Sequence, residues 1–565
     1  MRNHSGGSEA SVEGHVIVCG LGHVGAAAVS GLRQLGTDVV VIDKDPDPTL
    51  REEAERSGAT VLQRDMRNHQ TLREAGIAGA RALVIATSDD TANVHLLFDV
   101  LRLQPGLRIV FRLDDAQLAR QLDATLPNAI GLTVPELAAP AFAFALGSPA
   151  ITRALIVGGE HWAVAEVDRR EQRIEIKAGE PLLVLEVRTP SAATALPPSV
   201  PPDAVHVTVA GPWDAVLQAL GVARPWPHWQ PGGWRRVAAA LRGVRPALWA
   251  VAGIALLLLI TNALLFAHLL HLPLADALYF VTTTLTTVGS GDTTLFKQAT
   301  FVKLYASALM LLGALMTAVL YALLTEHVIG HRLERLLAAR PLPPHGHVIV
   351  CGLGTVGFHV VTVLRRLGAP VAVIDQRAES VLAQRVRAMG VPVLAGNAAV
   401  AGTLEEARVG AASSVVVVTS DDLTNLGIAL AVRQANPQQH VILRLFDFGL
   451  AARVRTSLGM PATLSAPALA APAIAAHAAF GAQALDSIVL AGQPYVVWTL
   501  TVEAASPPAT VGQLLQPTQR ALLLHRRDGS LTLPAADVAL EEGDTLVVLQ
   551  AVDAISLAHQ SGGPV

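Results

Sequence analysis

Gly14-His15-Val16-Ile17-Val18-Cys19-Gly20-Leu21-Gly22 returns letter for letter as Gly346-His347-Val348-Ile349-Val350-Cys351-Gly352-Leu353-Gly354. The offset, 352 − 20 = 332 residues, then holds without a gap. Asp43 answers to Asp375, Thr87-Ser88-Asp89-Asp90 to Thr419-Ser420-Asp421-Asp422, Asn93 to Asn425, Arg112 to Arg444 and Pro140 to Pro472. Self-similarity at one fixed spacing marks a duplicated domain. In each copy an unbroken apolar run reads as a buried parallel strand, Val16 to Cys19 and Val348 to Cys351. A glycine turn follows, then a helix (25–35 and 357–367), then a second strand (39–42 and 371–374) that ends on the acid.

Strand, Gly-x-Gly-x-x-Gly, helix, strand and acid form the dinucleotide fingerprint in its proper structural context. The first glycine permits the tight turn, the second lets a phosphate approach the backbone, and the third lets helix and strand pack closely. The pyrophosphate then rests on the helix N-terminus, where free N–H groups and the helix dipole favour an anion. Candidate ligand groups in the first copy are Gly20, Leu21, Gly22, His23, Val24, Gly25, Asp43, Lys44, Asp65, Thr87, Ser88 and Arg112. Those in the second copy are Gly352, Leu353, Gly354, Thr355, Val356, Gly357, Asp375, Gln376, Asn397, Thr419, Ser420 and Arg444. Asp43 and Asp375 stand where a carboxylate binds ribose hydroxyls, which disfavours a 2′-phosphate and points to NAD(H), ADP or ATP rather than NADP. The pockets are not chemically identical, because Asp65 faces Asn397 across the repeat and Arg64 faces Gly396. For Thr87-Ser88 and Thr419-Ser420, at strand ends, ligand contact competes with helix capping by Asp89 and Asp421. Arg112 and Arg444 suit either a phosphate or a salt bridge.

Between the two copies lie two long apolar runs, Ala247 to Leu270 and Phe301 to Leu324, separated by Thr287-Val288-Gly289-Ser290-Gly291-Asp292. A dehydrated cation needs a row of oxygens in place of its water, and successive backbone carbonyls supply one. Gly289 and Gly291 allow those carbonyls to face a common axis, and Thr287 adds a hydroxyl. Leu274 to Thr286 reads as a short pore helix whose C-terminal end points negative partial charge at the ion. Gly313, inside the second run, is either a hinge or a close-packing site.

The turn resembles the potassium-channel filter TVGYGD, with Ser290 in place of the tyrosine that braces the family's carbonyl ring. Together with the flanking repeats, the chain resembles the two-transmembrane potassium channels that carry RCK (TrkA-N) domains. That resemblance implies K+ as the permeant ion, a homotetramer, an octameric ring of regulatory domains, and nucleotide control of the gate. Ser290 leaves a nonselective monovalent cation channel as the alternative. Leu485 to Leu557 is similar to the β-rich TrkA-C lobe, with Asp528-Gly529 as its turn, whereas Thr152 to Leu220 shows fragments of it, such as Glu180-Pro181-Leu182-Leu183-Val184, and reads as a degenerate counterpart.

Composition agrees with a membrane segment joined to soluble domains. The 565 residues are 51% hydrophobic with a net charge of −4, the mean hydropathy is +0.44, and only two runs are long enough to span a bilayer. The charge gives no sign of a nucleic-acid partner. Arg235, Arg236, Arg242 and Arg245 precede the first run, and Arg332, Arg335 and Arg340 follow the second. Both flanks, and both termini, are therefore expected on the cytoplasmic side of the cell membrane in a multi-pass protein. Trp226, Trp229 and Trp234 suit a headgroup-level anchor before the first run.

The expected architecture is two Rossmann-like α/β RCK domains, an α-helical two-span pore domain with a re-entrant loop, and a small β-rich lobe. Its divisions are a disordered N-terminus (1–13), a first Rossmann N-lobe (14–150), a degenerate C-lobe (151–222) and an interfacial linker (223–245). The pore domain (246–326), comprising spans 247–270 and 301–324 around a pore helix and filter at 274–292, follows. A linker (327–345), a second Rossmann N-lobe (346–482) and the TrkA-C-like lobe (483–557) complete the chain. No His/Cys/Asp group has metal-ligand spacing, His268 and His271 read as an interfacial pair, and Cys19 and Cys351 as separately buried thiols. An enzyme is disfavoured because no substrate domain or proton-transfer constellation accompanies the nucleotide fold. A nucleotide-binding regulatory subunit of a separate transporter is the remaining rival, and the built-in pore segment weighs against it.

Overall fold

The computed structural model describes residues 14–126, 128–157, 160–176, 182–197, 200–226, 246–286, 300–329, 342–502, 510–516, 519–527, 531–532 and 534–553. The filter Thr287–Asp292, the arginines flanking the apolar runs, Trp229 and Trp234, Glu180-Pro181 and the Asp528-Gly529 turn lie outside the described residues. The chain divides into two compact units, one holding both Rossmann copies and the small lobes, the other centred on residues 229–342.

In the first copy six strands, β1 (Val16–Cys19), β2 (Val39–Asp43), β3 (Thr60–Gln63), β4 (Ala82–Ile85), β5 (Arg108–Arg112) and β6 (Ala129–Leu132), form one parallel sheet ordered β3-β2-β1-β4-β5-β6. β1 and β4 are buried along their whole length, which is why they read as continuous apolar runs without alternation. Successive strands are added to one side up to β3 and to the other from β4 onward, so the carboxyl ends of the parallel strands β1 and β4 open a crevice at the switch point. His15 belongs to the repeated motif for a structural reason. Its ring Nε2 lies 2.8 Å from the Ala75 carbonyl, tying the start of β1 to a neighbouring loop.

A small lobe follows, with β7 (Ile151–Val157), β8 (Glu160–Asp168), β9 (Leu183–Arg188), β10 (Ala193–Ala195) and β11 (His206–Pro212) in the order β7-β8-β11-β9-β10. The second copy repeats both parts. Its strands β12 (Val348–Cys351), β13 (Val371–Asp375), β14 (Val393–Ala395), β15 (Ser414–Val417), β16 (His440–Arg444) and β17 (Thr463–Leu464) lie in the order β14-β13-β12-β15-β16-β17. Then β18 (Ala484–Leu490), β19 (Gln493–Thr501), β20 (Gln519–His525), β21 (Leu531–Thr532) and β22 (Thr545–Ala551) adopt the order β18-β19-β22-β20-β21. That order matches the first lobe strand for strand. Among the described residues, the lobe expected to be degenerate thus holds a five-stranded sheet with the same strand order. An antiparallel sheet with one buried face constrains alternate positions to be apolar and little else.

The copies interlock. The helix Ala466–Phe480, at the end of the second Rossmann sheet, packs on the first copy's crossover helix His23–Gln34, and Val134–Phe144 packs reciprocally on Thr355–Arg366. Close approach requires small side chains: a Cβ placed on Gly31 would lie 3.1 Å from that of Ala475. The lobes also share one core, in which Leu155, Trp162 and Leu185 meet Ile488, Val497 and Leu549. Each such aliphatic burial contributes about 1.5–3 kcal/mol.

The other unit holds helices Pro246–Leu269, Leu274–Leu285 and Thr300–Ile329. Phe266, Phe280, Val281, Ala306 and Leu309 form their common core, and Leu257, Leu264, Phe301, Leu304, Leu311 and Leu315 are left exposed. An apolar exterior of this kind suits lipid rather than water. By length and composition Thr300–Val319 qualifies as a membrane span, and Gly253–Leu269 is a shorter apolar helix. Inside, the Tyr305 hydroxyl donates to Asn262 Oδ1 at 2.7 Å, a polar link between the two long helices.

At the lobe interface Arg153 Nη2 donates to Asp486 Oδ1 at 3.2 Å and to the Ser487 carbonyl at 3.0 Å, and the Asp486 side chain is only 6% exposed. Removing one partner strands a buried charge. Asp486→Ala is therefore expected to lower stability by about 3 kcal/mol, read as a shifted denaturant midpoint in tryptophan fluorescence, with Arg153→Ala adding less than its separate effect.

Candidate functional site

The glycine turns take the geometry that the fingerprint requires. Gly20 and Gly352 sit at φ +98° and +99°, in the left-handed region where a Cβ is strained. A Cβ on Gly25 would lie 1.9 Å from the Gly20 carbonyl oxygen, and one on Gly357 would lie 2.1 Å from that of Gly352. Between them, Gly22 and Gly354 have, beyond their chain neighbours, no atom of the described residues within 4 Å of such a position. Each turn is thus tight at its first glycine, closed at its third and open at its second. The open space lies at the N-terminus of helix His23–Gln34 or Thr355–Arg366, where the cap residue is a glycine and supplies no side-chain acceptor to the first N–H groups.

The acids hold these turns. Asp43 Oδ2 accepts the Leu21 N–H at 2.6 Å, Asp375 Oδ2 accepts that of Leu353 at 2.6 Å, and each Oδ1 takes a second N–H from Asp45 or Arg377. Across the crevice Asn93 and Asn425, both fully buried, clamp the ends of neighbouring strands. Asn93 Nδ2 donates to the Thr87 and Arg112 carbonyls at 3.0 Å, and Asn425 Nδ2 donates to those of Thr419 and Arg444 at 3.1 Å. The Thr87 and Thr419 hydroxyls are spent on the same asparagines. Asp89 and Asp421 cap the next helices by accepting from Ala92 N at 3.0 Å and Thr424 N at 2.7 Å, so helix capping is real at these positions.

Both turns open on one cleft of about 1460 Å³. Most of the residues expected from the sequence line it, including His23, Thr87, Ser88, Arg112, Gln376, Asn397, Ser420 and Arg444. Gly25 and Gly357 are packed beneath it, and Lys44 and Asp65 are not among its lining. Asp65 instead binds the Arg67 guanidinium, which holds its carboxyl down at about 2. Arg112 pairs with Asp114 at 3.1 Å, whereas Arg444 lies 4.1 Å from the Phe446 ring centroid and donates to the Thr419 carbonyl at 3.3 Å. Burial pushes the Arg444 guanidinium down to about 10, against the opposing pull of Asp422 and Asp114, so it stays charged at neutral pH. Phe446 was not legible as a site residue, because the repeat has Asp114 at its position. Asn93 and Asn425 recur in the repeat, but only the fold shows that they are clamps.

In the other unit Gly313 packs against the end of the short helix, since a Cβ there would lie 2.4 Å from the Leu285 carbonyl oxygen. Close approach is the demand that a glycine meets at this point. Among the described residues no His/Cys/Asp/Glu group is arranged to hold a metal ion. Cys19 and Cys351 are free and buried, with burial pushing each thiol up to about 12.

Paired Rossmann domains opening on one cleft, in a chain that also holds an apolar-faced helical unit, define a class: nucleotide-fold domains that share a chain with an apolar helical segment. Comparison with known proteins makes this specific. The TrkA-N domain family matches residues 16–129 and again 348–458, and an ion-channel domain family matches 248–329. The chain thus carries two TrkA-N matches that bracket a match to an ion-channel domain. Among its relatives, the Trk system potassium uptake protein TrkA of Streptomyces coelicolor is 38% identical over 80 residues, 14% of this chain and 35% of that one. The voltage-gated potassium channel Kch of Escherichia coli is 25% identical over 118 residues, 20% of this chain and 28% of that one. The chain thus spans about a third or less of the length of these relatives. The structure of the GsuK channel bound to NAD is 16% identical, with a TM-score of 0.47 over 98% of this chain and 79% of that one.

The glycine geometry separates binding from folding. Gly22→Val places its side chain in open space at an extended backbone (φ −79°, ψ −174°), so the melting temperature is expected to stay within a few degrees while the opening at the helix N-terminus is filled. Gly25→Ala forces the turn apart and is expected to lower stability by about 3 kcal/mol or more, measured by differential scanning calorimetry. Cys19 and Cys351, with almost no thiolate at pH 8, are expected to resist iodoacetamide in the native protein and to react fully in denaturant.

Proposed function

We propose that this chain is the subunit of a ligand-gated potassium channel, in which NAD(H), ADP or ATP binding to cytoplasmic RCK domains controls a pore in the cell membrane. The observation that carries the reading is the pairing of an ion-channel domain with two glycine turns whose second position is left empty at a helix N-terminus. An anion is favoured there by unpaired N–H groups and by the helix dipole. Relatives described as potassium uptake and potassium channel proteins support K+ as the permeant ion.

In this reading Thr287 to Asp292 form the filter and Leu274–Leu285 is the pore helix. A one-loop subunit encloses a pore only as a closed ring, so the assembly is a homotetramer, and two RCK domains per chain supply the eight of an octameric ring. Both termini are cytoplasmic. The candidate residues that line the cleft serve the nucleotide, with Asp43 and Asp375 both bracing the turn and facing the ribose. Binding biases the ring between two shapes, and the difference in ligand affinity between those shapes sets how far the gate shifts. The chain performs no catalysis of its own in this account.

Liposomes containing only the purified chain provide the test. Potassium flux is expected, altered severalfold by NAD(H), ADP or ATP and insensitive to them when Gly22→Val and Gly354→Val are combined. Equal potassium and sodium flux would replace the selective reading with a nonselective cation channel, a result that Ser290 favours. No flux under any nucleotide would replace it with a regulatory subunit of a separate transporter.

A further inference from the structure

The two nucleotide cradles face the same cleft but are not finished by the same groups. His23 opens the first copy's crossover helix, directly after Gly22, and its ring lies 6.0 Å from that of Phe446, which belongs to the second copy. Phe446 in turn lies under the Arg444 guanidinium, at 4.1 Å. The end of β16 therefore reaches over the first copy's glycine turn rather than only its own. Arg444 is buried, with 8% of its surface exposed, and its Nε has no hydrogen-bond partner among the described residues. A buried, charged donor without a partner costs free energy until an acceptor arrives, and the open position at Gly22 faces the same cleft.

Across the 332-residue repeat the matching pair is Asp114 and Thr355, and both line the cleft. Here the finishing group is a carboxylate in place of a phenyl ring. Arg112, the counterpart of Arg444, gives its Nη2 to that carboxylate at 3.1 Å, while its Nε, like that of Arg444, has no hydrogen-bond partner among the described residues. The difference between the copies is therefore the carboxylate itself. An additional phosphate would meet an arginine already ion-paired to an acid at this cradle, but at the other a guanidinium held on an aromatic face, with Asp114 and Asp422 acting on it only through space.

We propose that Arg444 and Phe446 complete the first copy's cradle in trans and make it the site for the more highly phosphorylated ligand, while Asp114 makes the second copy's cradle the weaker anion site. The assignment rests on the nucleotide reading above and gives each cradle its own ligand preference. It also makes the first site bipartite, because its ligand touches both copies at once. Occupancy of that site links the two halves, whereas loss of the ligand leaves Arg444 to its ring and carbonyl contacts.

Isothermal titration of the full-length protein with ADP, in single and paired variants, tests this. The unsubstituted protein is expected to show two unequal sites, and Gly22→Val to remove the tighter one. Phe446→Asp, which copies the other half, and Arg444→Lys are each expected to weaken ADP at least tenfold in a Gly354→Val background and to change nothing in a Gly22→Val background. Asp114→Asn is expected to strengthen ADP severalfold in the Gly22→Val background. The reverse pattern, with the effects of Phe446 and Arg444 variants vanishing when Gly354 is blocked, would overturn the trans assignment and leave nucleotide binding intact. Two equal sites unaffected by these substitutions would overturn it as well. An absence of ADP and NAD binding to the unsubstituted protein would remove the nucleotide reading itself, and this assignment with it.

Discussion

The carbonyl oxygen of Gly20 occupies the place where residue 25 would otherwise carry a Cβ, and the carbonyl of Gly352 does the same to residue 357. From that contact the rest of each domain follows. It draws the first crossover helix against the end of the central strand, so the free N–H groups of the helix face the crevice between β1 and β4. It needs the positive φ of the first glycine, and it leaves the second glycine standing in open space. Asp43 and Asp375 then hold the turn by accepting its N–H groups, so the acid braces the cradle whether or not a ribose is present. The site is built chiefly from backbone, and side chains such as His23 and Thr355 are free to differ between copies.

Duplication within one chain permits what a dimer of identical chains does not. The terminal helices are exchanged across the two copies, and small residues such as Gly31 and Ala475 let them approach closely. Because the halves are separate stretches of one gene product, substitutions at matched positions need not occur together. Asp114 opposite Phe446, Asp65 opposite Asn397 and Lys44 opposite Gln376 are such divergences. Two cradles with one backbone geometry can thus present different charge to one cleft. Symmetry in the fold does not carry over to symmetry in the chemistry.

What the sequence made legible follows the same division between backbone and side chain. The Rossmann halves were readable because glycine at three fixed points and an acid after the second strand answer to steric demands that no other residue meets. The first small lobe was not, since alternate burial can be met by many residues, and Thr152 to Leu220 kept the strand order while losing the wording. Lys44 and Asp65 are candidates whose repeat partners Gln376 and Asn397 line the cleft, yet they are not among its lining themselves. Phe446 was missed because recognition by repeat selects what is the same in both copies, and its importance lies in being different.

The helical unit shows how closely its parts are tied. Gly313 sets the long helix Thr300–Ile329 against the carbonyl of Leu285, with no room for a methyl group, and Tyr305 fastens the same helix to Asn262 of Pro246–Leu269. Packed interfaces of this density do not deform smoothly; they shift between discrete arrangements. A rotation of the long helix at Gly313 therefore displaces Leu285, two residues before Thr287, instead of being absorbed between them. A glycine fixed by contact on one face is a poor place for free bending, so motion at this level is carried by the helices moving together.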